Sequence, residues 1–398
     1  MERAGPAIRE QNHPIEEAPP VVKLHENSTP ATDPLRAKQY SRIKLAFGLA
    51  QTGLFFLLTL LLLATGLTAR IESIVRNVFD QDYAVLLAFA FVLGAAETVV
   101  GFPLRVSSGY FLEHRHGLSN QSFGRWILEG VKAGLVGGAV TAPVLIALFW
   151  SLRNFGNLWW LPVGMLLFVF SVVLARLAPV VLFPLFYKFK PMEESGLKER
   201  VMAICEQVGM RITGVFVFDM SKNTKKANAA FTGIGKARRI VLGDTLLANF
   251  TDDEIEAVVA HELGHYKLRH LRTMILVGTA STFAGLYVTA QLYAASLNWF
   301  GFASGDAVAA LPLLGLWLAL FSFVTAPLNN ILSRFHERAA DRFAVRLTGT
   351  KDSFANALTK LGRVNLADTD PHPLIEFLFH SHPSIGRRIK YLETVHVP

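Results

Sequence analysis

One cysteine, Cys205, occurs in 398 residues. A lone thiol excludes an intramolecular disulfide and a cysteine-built metal cluster, so any zinc has to be held by histidine and carboxylate. Cys205 itself reads as a buried packing residue rather than a nucleophile. Charge is scarce as well. Only 18% of the residues are charged against 52% hydrophobic, which is too apolar for an ordinary soluble fold. The charge that is present leans one way, to a net +8. That excess fits contact with an anionic lipid leaflet. No nucleic-acid partner is expected, because no basic-aromatic module accompanies it.

What is there instead is a set of long apolar runs. A bilayer crossing needs about 20 apolar residues, and six segments qualify: 43–67, 83–104, 130–150, 157–187, 272–298 and 306–332. Glycine and proline interrupt the second to fourth (Pro103, Pro143, Pro162, Pro179, Pro184), which membrane bundles tolerate. Residues 1–40 differ in composition, rich in proline and charge and poor in aromatics, and read as a disordered tail. The first apolar run starts too late and is too long for a cleaved signal peptide. Glu97 and Arg176 fall inside spans. An intramembrane ionisable group is a functional candidate by default; a structural reading, in which each snorkels or the two neutralise one another, is favoured, and a water-filled chamber is the alternative.

Four spans before residue 188 place 188–271 on the same side as the N-terminus, and two more return 333–398 to it. Arg36, Lys38, Arg42, Lys44, Arg105, Arg115, Arg125, Lys188, Lys190, Arg269, Arg272 and Arg334 flank that side, against Arg70, Arg76 and Arg153 on the other. The positive-inside rule then makes that side cytosolic.

The chemistry concentrates at His261-Glu262-Leu263-Gly264-His265. Ile255, Val258, Val259 and Tyr266 form an apolar stripe at helical spacing, and Thr251 with Glu254 forms a capping box at its start. Glu262 sits near the centre of the stripe, where a carboxylate is costly unless something holds it. Two imidazoles at i and i+4 can share one Zn²⁺, with Glu262 as general base for a water. The motif alone arises by chance in about one chain in fifty of this length, so it needs support. A catalytic zinc takes a third protein ligand and keeps one open position. His270, five residues after His265 with no intervening turn glycine, departs from the spacing of a third histidine ligand. Glu337 and Asp341 in Ser333–Asp341 share a helical face. Glu337 is the candidate third ligand, and Asp341 the acceptor for the free ring N–H of a ligand histidine. A charged surface helix is the bland alternative, since Arg334, Arg338 and Arg342 alternate there.

His265 lies about seven residues before the fifth span and Glu337 about five after the sixth. At about 1.5 Å per residue the metal would sit on the order of 10 Å from the hydrocarbon edge. A membrane hairpin thus joins the two halves of the site, which favours a lipid-anchored or membrane-embedded substrate. Residues 214–219 and 239–243 read as short strands. Between them Asn228–Gly233 is either an edge strand to which a peptide adds or a plain hairpin arm. Near the C-terminus, His382 offers a donor to an oxyanion and Arg388 can orient substrate or hold a carboxylate; a loop with ordinary surface residues weighs equally.

Together these stretches resemble the type I CAAX prenyl protease family, integral-membrane zinc endopeptidases of the gluzincin group. The resemblance is carried by Phe111–Gly117, Pro184–Phe186, Asn228-Ala229, Arg239–Leu242, His261–His270, Ser333–Asp341 and Ser381–Pro383, from about residue 100 to the C-terminus. It implies His261, His265 and Glu337 as ligands to one zinc per chain, Glu262 as catalytic base and Asp341 behind a ligand. It further implies Asn228 and Ala229 on the substrate strand, and His382 and Arg388 near the scissile bond. Arg338 stands where the family often has an aromatic, His380 where it often has Tyr, and six spans stand where its eukaryotic members have seven.

The expected fold is mainly α: a polytopic bundle of about six transmembrane helices around a chamber, with a cytosolic gluzincin-type zinc protease domain carrying a small β-sheet. The expected organisation is a tail (1–40), four spans (41–187), the first protease part (188–271), a transmembrane hairpin (272–332) and the second protease part (333–398). The expected function is a zinc endopeptidase of a bacterial inner or endoplasmic reticulum membrane. It would act on membrane-associated or prenylated (CAAX-type) peptide or protein substrates, lipid-anchored or membrane-embedded, and contact membrane lipids. The alternatives are a quality-control protease for unprenylated membrane proteins and a carrier with a vestigial zinc site.

Overall fold

Six helices are long and apolar enough to cross a membrane in the computed structural model, which describes residues 34–233 and 238–396. They run Pro34–Ala64, Asp82–Arg115, Phe123–Leu158, Trp160–Phe186, His270–Phe300 and Val308–Thr348. Large apolar side chains such as Leu57, Phe91, Val99, Leu135, Val324 and Leu328 are exposed along them. Surface of that kind is stable in lipid and not in water. The runs lack the polar face of a soluble helix, and the backbone satisfies itself internally. Proline is absorbed rather than excluded: Pro103 precedes a π-turn at Ser107–Phe111, and Pro179 lies within another at Ala178–Leu182. Both turns shift the hydrogen-bond ladder by one residue.

The spans pack most closely at one end. Leu63, Leu152, Trp159, Val163, Tyr293 and Leu313 form one core there, and Val85, Phe89 and Phe149 a second. Gly285 accepts the ring of Phe321 so closely that a Cβ would lie 2.7 Å from it. At the other end the strands and shorter helices share a core of their own, including Val201, Val215, Leu242, Ile255, Leu263 and Phe354. It contains four strands: β1 (Phe189–Pro191), β2 (Val215–Phe218), β3 (Ala229–Thr232) and β4 (Arg239–Gly243), in the order β1-β2-β4-β3. β2 and β4 are parallel; β3 runs antiparallel to β4 with Ala229 opposite Leu242 and Thr232 opposite Arg239. β3 is therefore an edge.

Three boundaries differ from the sequence reading. The first helix begins at Pro34, so residues 34–40 are helical and not part of a disordered tail; residues 1–33 lie outside the described residues. Burial explains it: Ala37 and Tyr40 are covered, and the Tyr40 hydroxyl donates to Glu113 at 2.7 Å. A short helix, Leu67–Arg76, follows the first span. The helix that carries the sixth span does not stop near 332. Leu311–Thr348 is one helix of 38 residues that carries Pro327 and continues directly into the segment of Glu337 and Asp341.

Candidate metal centre

The helix Asp252–Lys267 starts with both bonds of the capping box: Glu254 N–H donates to Thr251 Oγ1 (3.4 Å) and Thr251 N–H to Glu254 Oε2 (2.8 Å). Ile255, Val258, Val259 and Leu263 are buried. This face packs on the helix Leu311–Thr348, and the crossing point is Gly264. A Cβ there would lie 3.1 Å from Ala340 Cα and 3.2 Å from Ala340 O. Only glycine lets the two backbones come this near. The approach brings His261 and His265 from one helix against Glu337 and Asp341 from the other.

The resulting distances are short. His261 Nε2 is 3.1 Å from His265 Nε2 and 3.4 Å from Glu337 Oε2; His265 Nε2 is 3.2 Å from Glu337 Oε1. One donor atom from each of the three residues lies within 4.8 Å of the others. Glu337 Oε2 is buried and lacks a hydrogen-bond partner among the described residues. Two imidazole nitrogens and a carboxylate oxygen converging on one point, with an orphaned acceptor among them, fit a divalent cation and leave a fourth position open. Asp341 is fully buried and accepts from His261 Nδ1 at 2.9 Å. Both Asp341 oxygens also accept from Arg388, at 2.9 and 2.5 Å, the bidentate geometry that suits a guanidinium. Arg388 thus faces Asp341 more than open space, and its Nη1 stands 3.6 Å from Glu337.

Burial sets the electrostatics. It pushes the Glu262 carboxyl above the usual carboxylate range. Burial also disfavours an imidazolium at His261, but the neighbouring Asp341 and Glu337 carboxylates outweigh it and raise its pKa to about 9.

A cavity of about 380 Å³ opens over this cluster. His261, Glu262, His265, Glu337, Asn228, Ala229, His382 and Arg388 line it, and Asp341 lies behind His261. Asn228 and Ala229 line one wall, at the start of the edge strand, and the Asn228 carbonyl accepts from Gly243 N–H at 3.0 Å. His382 reaches in from the C-terminal segment, with Nε2 3.4 Å from Glu337 Oε1 and Nδ1 2.9 Å from Ser381 Oγ. Val258, Phe354, Leu358 and Ile385 make the remaining wall apolar.

Two further residues near the site have no role assigned from the sequence. Asn365 grips both backbone groups of Ala227, accepting from its N–H (3.0 Å) and donating to its carbonyl (3.3 Å), next to Asn228. It ends an amphipathic helix, Asp352–Asn365, with nothing local to mark it. His270, set aside as a ligand on spacing, lies outside the ligand trio but has Nδ1 3.0 Å from His265 Nδ1.

Known proteins share this architecture. The profile of Peptidase family M48 matches residues 191–396, and that of the CAAX prenyl protease N-terminal region, five membrane helices, matches 16–188. Within the described part of that second stretch, four helices have spanning length. The CAAX prenyl protease 1 of Saccharomyces cerevisiae is 31% identical over 342 residues, 81% of this chain and 75% of its own. The uncharacterized metalloprotease YhfN of Bacillus subtilis is 29% identical over 361 residues, covering 90% of this chain and 84% of its own. The crystal structure of S. mikatae Ste24p superposes with a TM-score of 0.79 at 27% identity, covering 90% of this chain and 88% of that one. The chain is an integral multi-pass membrane metalloprotease and belongs to the type I CAAX prenyl protease family.

Proposed function

We propose that the protein is a zinc endopeptidase that cleaves membrane-associated substrates of the prenylated, CAAX type. The observation that carries this reading is the continuity of the site with two helices of spanning length. Glu337 stands on the same unbroken helix as the sixth span, and His265 precedes the fifth span by a two-residue break at Leu268-Arg269. A substrate whose anchor stays in the bilayer meets the cluster without leaving it. The yeast relative is named for such a substrate class.

His261, His265 and Glu337 are the residues that would hold the zinc. Bound there, the ion would lower the pKa of a water and polarise a carbonyl. Glu262, raised by burial toward the working pH, takes the proton of the attacking water and returns it to the leaving amine. His382 N–H donates to the carbonyl oxygen as that oxygen gains charge. The free edge of β3 at Asn228 and Ala229 pairs with the extended peptide backbone. Asp341 holds His261 in the tautomer that leaves Nε2 unprotonated, and Arg388 neutralises Asp341.

On this reading 188–271 and 333–398 form one protease part, split by the hairpin 272–332, on the cytosolic side that the basic flanks favour. The membrane is a bacterial inner or endoplasmic reticulum membrane. The second reading is the same chemistry on unprenylated membrane proteins; the Bacillus relative, named only as a metalloprotease, keeps it in view. The test offers the purified full chain a farnesylated peptide and its unfarnesylated twin, with and without a zinc chelator. Chelator-sensitive cleavage favouring the farnesylated form is expected. Equal cleavage of both selects the second reading, and cleavage of neither overturns both.

A further inference from the structure

We propose that His270 is a positioning residue for the metal centre: it accepts the Nδ1 proton of His265 and so fixes the ring with which His265 presents Nε2. The inference rests on the reading that His265 Nε2 is a metal ligand. Given that, the proton logic is forced. Nε2 must keep its lone pair, so the neutral ring carries its proton on Nδ1. That proton needs an acceptor, and the group facing it is His270 Nδ1 at 3.0 Å. His270 then bears its own proton on Nε2. The other ligand histidine, His261, has a carboxylate in this place, Asp341. A second carboxylate behind His265 would add negative charge to a site already holding Glu262, Glu337 and Asp341 with Arg388 as the guanidinium among them; a neutral imidazole accepts the proton without that cost.

The chain is bent to make this contact. On a continuous helix His270 would lie about 140° round the axis from His265 and never meet it. The helix ends at Lys267, Arg269 adopts a left-handed conformation (φ 59°), and a new helix starts at His270. A non-glycine residue in that region is uncommon and marks a constraint. The turn folds His270 back over His265, their ring centroids 5.0 Å apart. His336, the neighbour of Glu337, then stacks on His270 at 4.1 Å and 12°. Both rings are buried. The stack ties the start of the fifth span to the helix bearing Glu337, so the orientation of His265 is set from the same element that supplies the third ligand.

The test measures zinc affinity by chelator competition on the full chain in detergent, together with the melting temperature of each metal-free form. Compared are the parent, His270→Leu, His270→Gln and His265→Ala. Leu fills the space without accepting a proton, and the Gln amide oxygen can accept it. His270→Leu is expected to weaken zinc binding about 10- to 100-fold. His270→Gln is expected to recover most of that loss, with the two metal-free melting temperatures alike. If His270→Leu fails to fold, His270→Ala carries the same comparison. Zinc affinity within twofold of the parent in the non-accepting variant overturns the inference, as does Gln performing no better than Leu. Loss of zinc from His265→Ala secures the underlying reading independently; retention there would overturn the reading of the site itself.

Discussion

Gly264→Ala is the smallest change that tests how the metal centre is assembled. The added methyl would stand 3.1 Å from Ala340 Cα, 3.2 Å from Ala340 O and 3.2 Å from Phe343 Cδ1, where ordinary contact begins at 3.4 Å. Two of these three neighbours are helix backbone and cannot turn aside. The helices must therefore part by a few tenths of an ångström, at the level where one supplies His261 and His265 and the other Glu337. Two effects oppose each other. Alanine raises helix propensity by about 0.8–1 kcal/mol, and overpacking costs about 1–3 kcal/mol. The second wins, because the contact is with backbone. The net cost falls on the crossing, so zinc affinity is expected to drop about tenfold while the metal-free fold loses no more than about 2 kcal/mol. Chelator competition and thermal melting read the two separately. Gly278→Ala is the control, since a Cβ there meets nothing within 4 Å. Undiminished zinc affinity and kcat/KM in Gly264→Ala would refute the claim that this close approach sets the ligand geometry.

Three further outcomes follow from the same geometry. Glu262→Gln is expected to keep its zinc, by metal analysis, and to lose about 10²- to 10⁴-fold in kcat as the base is removed. Glu337→Ala is expected to emerge from purification without stoichiometric zinc; unchanged metal content would place the third ligand elsewhere. The acid limb of the pH profile of kcat/KM is expected to lie above the ordinary carboxylate range, because Glu262 acts deprotonated and burial raises its pKa, so activity falls as pH drops through that raised value. A limb at the pKa of a solvated carboxylate would separate Glu262 from the base role.

Much of this was legible in the chain because the signals were periodic or chemical. The six apolar runs need no tertiary context to be read, and all six return as long helices. The capping box at Thr251 marks the start of its helix to the residue. Glu337 and Asp341 could be paired with the histidines because one turn of helix puts them on a shared face, and the structure brings both to the cluster. What stayed hidden depends on contacts distant in sequence. The helical state of 34–40 rests on Tyr40 meeting Glu113. β1 has three residues and pairs with β2 across more than twenty intervening ones. Asn365 takes its place by gripping Ala227, far upstream. His270 failed a spacing rule for ligands and sits behind one instead. Its position depends on the turn at Arg269, which no propensity would assign to arginine.

Anomalous diffraction at the zinc edge, on crystals of the unmodified full chain grown without added metal, tests the central claim most directly. The account predicts one strong peak per chain, at bonding distance from His261 Nε2, His265 Nε2 and a carboxylate oxygen of Glu337, beside the Glu262 carboxylate. A peak ligated by other residues, or a catalytically active crystal form with no anomalous signal between the two helices, would contradict it.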